Sequence, residues 1–516
     1  MEFDNEVRLG VFPQLGSRRL LFEHLFVFRP VYGRVRLRVR PRREQHEVCD
    51  FERLRPLLGG VFELFLALYR AREIFEHADV LLALALESLD DFLRLRNAEH
   101  VFRLLRVLFE GAALVAGDFE DWHKLIVRTK EEFEKSGINI HTEHQVTKIL
   151  PADKKILVKD LKLGVCNFVE YDKLIIATGA APFIPDIKNT GLKNIFTLRT
   201  LEDGINMRSA MEKSQNITII GGGYISIELI EAFVKNKKNV TLVERSPFIL
   251  SVFDEDISSL IQSFILENSG GLVKILNEDQ VCEFVGDETV TGVLTTNGSG
   301  FETDMAVIAT GVYPVVDIAK EAGIEIGTTG AIKVNSRMET NIPDIYACGD
   351  CAEKINIISH SPVWIPLGST ANKEGRVAAI NACGGVEDFE GVLGSAVLRY
   401  HSLSMSMTGL TEKAAQKRGY DTVSVVITKR DKAGYMPEVK NVTLKLVADR
   451  RSHKMLGAQA IGCGDADKRV NTISVGLLRG MTVEDLLDVD LTYAPPFSTS
   501  IDILISAARI LKSKLN

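Results

Sequence analysis

The eighteen residues 216–233, NITIIGGGYISIELIEAF, constrain the fold of this chain more than any other stretch. An apolar run rich in β-branched residues ends at three consecutive glycines, and the apolar residues beyond them recur at helical spacing. This order predicts a buried strand over 217–220, a tight turn at Gly221 and Gly223, and a helix over 224–235. Glycines at such a turn let a ligand approach the backbone at the helix N-terminus.

A second apolar strand, predicted over 240–243, ends in Glu244, about 21 residues beyond Gly223. A carboxylate there can accept hydrogen bonds from an adenosine ribose while the pyrophosphate lies on the helix N-terminus, so the segment predicts a dinucleotide site. Ser226 takes the position usual for a third Gly or Ala, which we expect to cost little. Glu244 favours NADH over NADPH, because a 2′-phosphate would meet like charge, and Arg245 weakens that preference.

Two strands that end in Ala-Thr-Gly, at 177–179 and 309–311, lie on either side of this segment. Two such turns around one complete fingerprint indicate two nucleotide-binding domains, the second inserted into the first. A further short strand, 345–347, leads to Gly349 and Asp350, where an acid can bind a ribityl hydroxyl of a flavin. The sequence from residue 177 onward therefore predicts two nucleotide sites, one at the glycine turn 221–223 and one near Gly349 and Asp350.

Local signals predict the remaining elements. Thr129 and Glu132 form a capping box, and Gly137 ends the helix that follows it. Strands are predicted over 138–142, 145–150, 155–158 and 174–177, and a helix rich in small residues within 366–385.

Residues 117–516 resemble the flavin-dependent pyridine nucleotide–disulfide oxidoreductases, most of all the branch of coenzyme A-disulfide reductases, NADH oxidases, peroxidases and persulfide reductases. The resemblance is carried by the motifs above and by TGLTEKAAQKRGYD (408–421), HKMLGAQAIG (453–462) and LTYAPPFS (491–498). It implies an α/β fold of two Rossmann-like nucleotide-binding domains, the NADH domain inserted in the FAD domain, with an α+β C-terminal dimerisation domain.

The implied organisation has five parts. They are an atypical segment over 1–116, the first part of the FAD domain over 117–212, the NAD(P)H-binding domain over 213–312, the second part of the FAD domain over 313–385 and the dimerisation domain over 386–516.

The resemblance implies an enzyme that passes hydride from NAD(P)H to FAD and on to a low-molecular-weight disulfide or persulfide such as coenzyme A disulfide. An NADH oxidase or peroxidase that uses O2 or peroxide is the alternative within the class. A non-catalytic NAD-binding dimer, or the product of a damaged gene, is the alternative outside it. The implied cofactors are FAD and NADH, with NADPH possible, and the implied partners are a small-molecule disulfide or oxidant and a second copy of the chain.

The resemblance also assigns residues. FAD contacts are implied at Thr178, Gly179, Asp350 and Asn372. NAD(P)H contacts are implied at Gly221, Gly223, Tyr224, Glu228, Glu244 and Gly311. Tyr435 and Tyr493 match tyrosines near the reactive sulfur of the coenzyme A-disulfide branch, where a phenol would stabilise a developing thiolate; each is equally well an ordinary interface aromatic.

Two features that the resemblance implies are not legible here, namely a G-x-x-A-A-G-type turn for the ADP of FAD and a redox cysteine after it. The register resumes near 115–117, which puts the cysteine position around Phe109. Cys49 lies too far upstream. Cys348 and Cys351 have C-x-x-C spacing, but they flank Asp350 where small residues pack, and no second ligand pair accompanies them, so we assign no metal site.

Composition changes abruptly near Gly117. No lysine precedes Lys124, whereas eighteen arginines and a single isoleucine, Ile74, do. A natural fusion, a frameshift or a misassembled gene would each produce this step, and we favour a non-native segment. The arginine-rich stretch 29–43 fits a nucleic-acid arm or a solvated segment, and we favour the second because no aromatic platform accompanies it. Two helices are predicted over 63–109.

The whole chain of 516 residues has 46% hydrophobic residues, 25% charged residues and a net charge of -7, values typical of a soluble globular protein without general affinity for nucleic acid. No apolar run approaches the ~18 residues of a membrane span. Seven scattered cysteines do not form a disulfide framework. With no signal peptide visible at Met1, we expect a cytoplasmic enzyme.

Overall fold

The computed structural model describes residues 25–31, 34–40, 47–50, 107–119 and 121–515. It divides the chain into two units, 1–96 and 97–516. In the first unit, an antiparallel sheet contains β1 (Leu25–Val31), β2 (Arg34–Arg40) and β3 (Glu47–Asp50) in that order. Much of the arginine-rich stretch forms the hairpin β1–β2. The helices predicted over 63–109 lie outside the described residues up to residue 106.

The described residues of the second unit begin with two helices and an antiparallel three-stranded sheet. These are α1 (Val107–Ala116), α2 (Lys130–Lys135), β4 (His144–Leu150), β5 (Lys155–Asp160) and β6 (Cys166–Glu170).

The predicted capping box of α2 is confirmed. The Thr129 hydroxyl accepts the Glu132 N–H at 3.3 Å, and the Glu132 carboxylate accepts the Thr129 N–H at 2.8 Å. The strand predicted over 138–142 is wrong. Gly137 takes φ +78° and the Ile138 N–H donates to Phe133 O at 3.1 Å, so the start of that segment closes the helix instead of joining a sheet.

The next region contains β7 (Leu174–Ile176), β8 (Ala180–Pro182), β9 (Ile195–Phe196), α3 (Leu201–Lys213), β10 (Asn216–Ile220), α4 (Tyr224–Lys235), β11 (Asn239–Val243), α5 (Glu255–Asn268), β12 (Val273–Leu276), β13 (Val281–Val285), β14 (Gly292–Thr295), β15 (Gly300–Glu302) and β16 (Met305–Ile308). Five of these strands form a parallel sheet of order β12-β11-β10-β16-β9, and the glycine turn at 221–223 lies at its carboxyl edge.

The strand–helix–strand unit over 216–243 is largely buried. Ile217 and Ile219 on β10 are buried against Ile227 and Ile230 on α4. The predicted helix over 224–235 and the strands over 217–220 and 240–243 are confirmed to within one residue. Burial on both faces explains why apolar residues occupy both faces of β10 and β11, interrupted only by Thr218 within 217–220 and by Thr241 within 240–243.

The chain then returns to the strands that precede this sheet. β17 (Val312–Pro314) pairs antiparallel with β8, and β18 (Ile345–Ala347) pairs parallel with β7, in register Ile345↔Leu174. The other elements of this return are α6 (Asp317–Glu321), β19 (Lys354–Ile355), β20 (Pro362–Val363) and α7 (Gly368–Ala382). The residues after β7 and after β18 therefore meet at one edge.

The elements of the C-terminal part are β21 (Ala396–Tyr400), β22 (Leu403–Gly409), α8 (Glu412–Lys417), β23 (Thr422–Arg430), β24 (Asn441–Asp449), β25 (Met455–Gly462), α9 (Ala466–Leu477), α10 (Val483–Asp488) and α11 (Ile503–Leu515). Its strands form an antiparallel sheet of order β21-β22-β25-β24-β23.

The central strands of this sheet, β24 and β25, are buried on both faces. Leu444 on β24 and Ile473 on α9 belong to one apolar cluster. On β22, Leu403, Met405 and Met407 alternate along the strand and share a second apolar cluster with α4. The C-terminal sheet thus packs directly against the helix that begins at the glycine turn. Among the helices of the described residues, none is long and apolar enough to cross a membrane.

Candidate functional site

The glycine turn after β10 has two glycines with different tasks. Gly221 takes φ +94°, and a Cβ on it would lie 2.7 Å from the carbonyl oxygen of Ala309, so only glycine fits. Gly223 has the ordinary φ of -83° and caps α4. It is exposed, and no described atom lies within 4 Å of where its Cβ would be. The first glycine makes the turn, and the last leaves room above the N-terminus of α4.

Glu244 is held against this turn by two backbone donors. Its Oε2 accepts the Gly222 N–H at 2.6 Å, and its Oε1 accepts the Ser246 N–H at 2.7 Å. A carboxylate has about four acceptor positions, so Glu244 retains capacity for a ribose. Its side chain is buried at the carboxyl end of β11. The acid predicted from spacing alone therefore lies next to the turn.

Ser226 is better accommodated than we expected. Its buried hydroxyl donates to the carbonyl oxygen of Gly221 at 2.6 Å, so the polar group that replaces a third glycine or alanine is satisfied within the turn.

Two side chains of α4 stand beside the turn. The Tyr224 hydroxyl donates to the Sδ of Met407 on β22 at 3.6 Å, and burial raises the pKa of Tyr224 to about 12. Burial, together with the charge of Glu231, raises the pKa of Glu228 to about 7. Gly311 lies after β16, the neighbour of β10, and takes φ +116°. All six residues assigned to NAD(P)H thus lie at one edge of the parallel sheet.

Three of the four residues assigned to the flavin, Thr178, Gly179 and Asp350, lie together at the other turn, and Arg199 joins them. The Thr178 hydroxyl donates to Val315 O at 2.6 Å. Arg199 forms an ion pair with Asp350, with 3.2 Å between Nη2 and Oδ2, and both side chains are largely buried. The same Nη2 lies 3.2 Å from where a Cβ of Gly179 would be. Sequence reasoning missed Arg199, because its partner lies 151 positions away and no local pattern links the two.

A buried ion pair supports the turn at Gly349 and Asp350. Glu374 Oε2 accepts the Gly349 N–H at 2.7 Å, and Lys354 Nζ donates to Gly349 O at 2.9 Å. Lys354 Nζ and Glu374 Oε1 are 3.4 Å apart, and each side chain is only 1% exposed. Burial raises the pKa of Glu374 to about 7. Asn372, on the same helix α7, is exposed.

Cys348 and Cys351 flank this turn as small packed residues. Both are buried, and burial raises the pKa of each thiol. The Cys351 thiol lies 3.3 Å from Cys348 O and 3.5 Å from Ile176 O, in position to donate to either carbonyl. Such thiols are poor nucleophiles. Within the described ranges, no cluster of three or more His, Cys, Asp or Glu residues could hold a metal ion.

Tyr435 and Tyr493 are solvent-facing, with 78% and 53% of their surface exposed. The loops that carry them touch, because the Ala433 N–H donates to Pro495 O at 3.2 Å. The structure therefore brings the two tyrosine-bearing segments together within one chain.

The site residues fit the two nucleotides unequally. Around Gly223 and Glu244, an open helix N-terminus and an acceptor carboxylate fit a nicotinamide dinucleotide. For FAD, the described residues fit the ribityl end, with Asp350 as acceptor. The sequence lacks a second glycine turn of the same type for the pyrophosphate of FAD.

The fold and the glycine turn define a protein with a Rossmann-like dinucleotide-binding domain, and comparison with known proteins identifies its family. The sequence model described as "Pyridine nucleotide-disulphide oxidoreductase" matches residues 83–375, and the model of the dimerisation domain of that family matches residues 395–504. The chain therefore belongs to the pyridine nucleotide-disulphide oxidoreductase family. Members of this family are FAD-dependent NAD(P)H oxidoreductases. The predicted family and α/β fold class are confirmed.

The chain is 36% identical to an NAD(P)H sulfur oxidoreductase (CoA-dependent) of Pyrococcus furiosus, over 73% of this chain and 84% of the relative. It is 32% identical to an NADH oxidase of Methanocaldococcus jannaschii, over 78% and 89%. Among solved structures, an NAD-dependent persulfide reductase from A. fulgidus is similar with a TM-score of 0.78 and 28% identity, covering 82% of this chain and 81% of the other.

Proposed function

We propose that this chain binds NADH at the glycine turn and serves as an NAD(P)H-dependent flavoprotein oxidoreductase that acts on a low-molecular-weight disulfide or persulfide such as coenzyme A disulfide. The observation that carries the proposal is the open N-terminus of α4 at Gly223, with the carboxylate of Glu244 bonded to the N–H of the adjacent Gly222. The activities named for the Pyrococcus and A. fulgidus relatives support the choice of acceptor.

FAD, when bound, supplies the electron-accepting ring of this class of enzyme. Thr178, Gly179 and Asp350 would hold its ribityl end, and Asn372 would lie towards the ring. Tyr224 would cover the ring until nicotinamide arrives, and Glu228 would lie near the nicotinamide.

The five-part organisation, with boundaries at 116, 212, 312 and 385, belongs to the same proposal, as do a cytoplasmic location and a homodimer through residues 386–516. The contact between the two tyrosine-bearing loops supports a shared role for Tyr435 and Tyr493 as phenol donors to a thiolate.

An NADH oxidase is the second candidate, since Phe109 stands where the redox cysteine is expected. Without that thiol, disulfide exchange has no nucleophile, whereas O2 needs only a reduced flavin. An NAD-binding dimer without turnover is the third, and it follows from the same missing thiol and glycine turn.

The test starts with purified full-length protein reconstituted with FAD. Flavin absorbance after removal of excess FAD, followed by anaerobic bleaching with NADH, is the expected result. Consumption of coenzyme A disulfide against consumption of O2 then separates the two enzymatic candidates. Protein that binds NADH but never retains flavin would contradict the enzymatic proposal and leave the NAD-binding dimer.

The nucleotide preference can be tested separately by equilibrium titration. Glu244→Gln removes the charge that opposes a 2′-phosphate but keeps an acceptor for Gly222. We expect the ratio of NADPH to NADH affinity to rise by about tenfold, which corresponds to roughly 1.4 kcal/mol. Arg245→Gln is the matched control and should lower that ratio. An unchanged ratio in Glu244→Gln would remove Glu244 from the nucleotide site.

A further inference from the structure

The side chain of Lys445 lies in an acidic cluster between two parts of the molecule. Lys445 belongs to β24 of the C-terminal sheet and is 3% exposed. Its Nζ lies 2.8 Å from Asp256 Oδ2, 2.9 Å from Glu412 Oε2 and 3.2 Å from Asp254 Oδ2. Asp254 and Asp256 stand at the N-terminus of α5, in the parallel sheet region. A buried lysine with three carboxylate neighbours ties the C-terminal sheet to the segment that enters α5.

Asp254 is the most completely bonded member of this cluster. Its carboxylate accepts the backbone N–H groups of Glu412 at 2.9 Å and Lys413 at 3.2 Å, and the side-chain amide of Gln459 at 2.6 Å. Its own N–H donates to Gln459 Oε1 at 2.8 Å. Both the backbone and the side chain of Asp254 are therefore fixed to the C-terminal part. We call Asp254, Asp256, Glu412, Lys445 and Gln459 the Lys445 clamp.

The clamp connects to the glycine turn through one short loop. Residues 245–254 lead from Glu244 to Asp254. Midway, the Leu250 N–H donates to Gly222 O at 2.7 Å, with Leu250 at φ +51°. Leu250 O in turn accepts the Ser258 hydroxyl at 3.0 Å and the Phe253 N–H at 2.9 Å. The loop thus touches the turn at Gly222 and is anchored by the clamp at its far end.

The conformation of this loop needs external support. A leucine in the left-handed region is costly, and such backbone persists only where surrounding contacts determine it. The neighbouring residue Ile249 is packed closely against the turn, because its Cα lies 3.1 Å from where a Cβ of Gly222 would be. A shift at Asp254 would therefore move the carbonyl and amide groups that border the nucleotide site.

We propose that the Lys445 clamp is a positioning device: by anchoring Asp254 to the C-terminal sheet, it sets the loop 245–254 and, through Leu250 and Gly222, the turn that receives NADH. The inference rests on the proposed function of that turn. Lys445 acts through Asp254 and touches no nucleotide. Nucleotide affinity in the parallel-sheet region consequently depends on a lysine of the C-terminal sheet.

The experiment compares Lys445→Met with Lys440→Met in the full chain. Lys440 is exposed, so its replacement is a matched loss of one lysine. Hydrogen exchange without nucleotide is the first readout. We expect exchange of the Leu250 amide to accelerate by about tenfold in Lys445→Met, within the range of coupling between sites, while the amides of Ile219 and Leu242 keep their protection. NADH affinity is the second readout and should fall by a similar factor.

A triple variant, Lys445→Met with Asp256→Asn and Glu412→Gln, removes two of the three carboxylates that the single change leaves without their cation, and it keeps Asp254 with its hydrogen bonds to the C-terminal part. It should fold with a thermal midpoint near that of the original chain and still show fast Leu250 exchange. Unchanged Leu250 exchange in both variants would overturn the proposal, and so would equal acceleration at Ile219 and Leu242, which indicates general loosening. If the original chain binds no NADH, the proposed function fails, while the exchange pattern decides on the clamp independently.

Discussion

The two nucleotide turns of this chain differ in how they are built. The turn at Gly221–Gly223 and its acid, Glu244, come from one continuous segment, and the space above Gly223 is open. The turn at Thr178–Gly179 depends on Asp350, which lies beside it because β18 pairs with β7. Arg199 forms an ion pair with Asp350 at this turn. A site made of one local segment survives an altered upstream sequence, whereas a site assembled from distant segments depends on every one of them.

The largest expected effect concerns the support of the distant turn. Lys354→Met leaves the carboxylate of Glu374 buried without its cation, and breaking a buried pair in this way costs about 3–5 kcal/mol. Urea unfolding at pH 8 measures the change. Lys333→Met, which breaks an exposed pair with Glu325, is the control and should cost under ~1 kcal/mol. Similar small losses in both variants would mean that the turn at Asp350 does not rely on this pair.

A substitution at the open turn 221–223 should have the opposite effect, because it should lower NADH affinity without lowering the stability of the fold. Gly223→Asp places a good capping residue at an ordinary φ, so the thermal midpoint should hold or rise slightly. The new carboxylate fills the space reserved for pyrophosphate and repels it, so NADH affinity should fall by at least about a hundredfold. Gly191→Asp, at another exposed glycine with open space, is the matched control for charge. Retained NADH affinity would place the pyrophosphate elsewhere.

The stability of the region around α4 should depend on pH through Glu228. The pKa of Glu228 is about 7 in the folded chain, against an ordinary 4.5. The unfolded chain releases this proton first, so the contribution of Glu228 to stability is fully present below pH 4.5 and is lost as the pH rises through 7. Glu228→Gln should therefore be more stable than the original chain by up to about 3 kcal/mol at pH 8 and nearly equal to it at about pH 4.

Urea midpoints at the two pH values test this. Glu231→Gln, which removes only the neighbouring charge, should give a smaller gain at pH 8. An equal gain at both pH values would show that Glu228 acts through packing and not through its proton.

Sequence reasoning succeeded where the determinants are local. The β10 run, the three glycines, α4 and Glu244 lie within thirty residues, and each follows from spacing and conformational preference. It did not foresee the hydrogen bond from Ser226 to Gly221, because that bond depends on the shape of the finished turn. The wrong prediction of a strand over 138–142 has a similar cause. The Ile138 N–H donates to Phe133 O in the cap of α2 and so is not available to a sheet.

Long-range pairs lay beyond sequence reasoning altogether. Arg199–Asp350 and Lys445–Asp254 join residues far apart in the chain, and no propensity or period connects them. Both pairs are largely buried, where a charge without a partner is expensive, so each becomes evident only when the fold brings its members together.

The smallest expected effect concerns the thiols at the distant turn. If Cys348 or Cys351 served as the redox nucleophile that is expected near Phe109, the flavin site would have the thiol needed for disulfide reduction. Their burial and raised pKa values argue against that. In the native chain, both should react with an aromatic disulfide reagent far more slowly than the exposed Cys166 and Cys383. A Cys348→Ser, Cys351→Ser double variant should keep any coenzyme A-disulfide turnover within about twofold, because neither thiol supplies the attacking thiolate. Loss of that turnover with flavin still bound would make the pair the electron acceptor and erase the difference between the two turns.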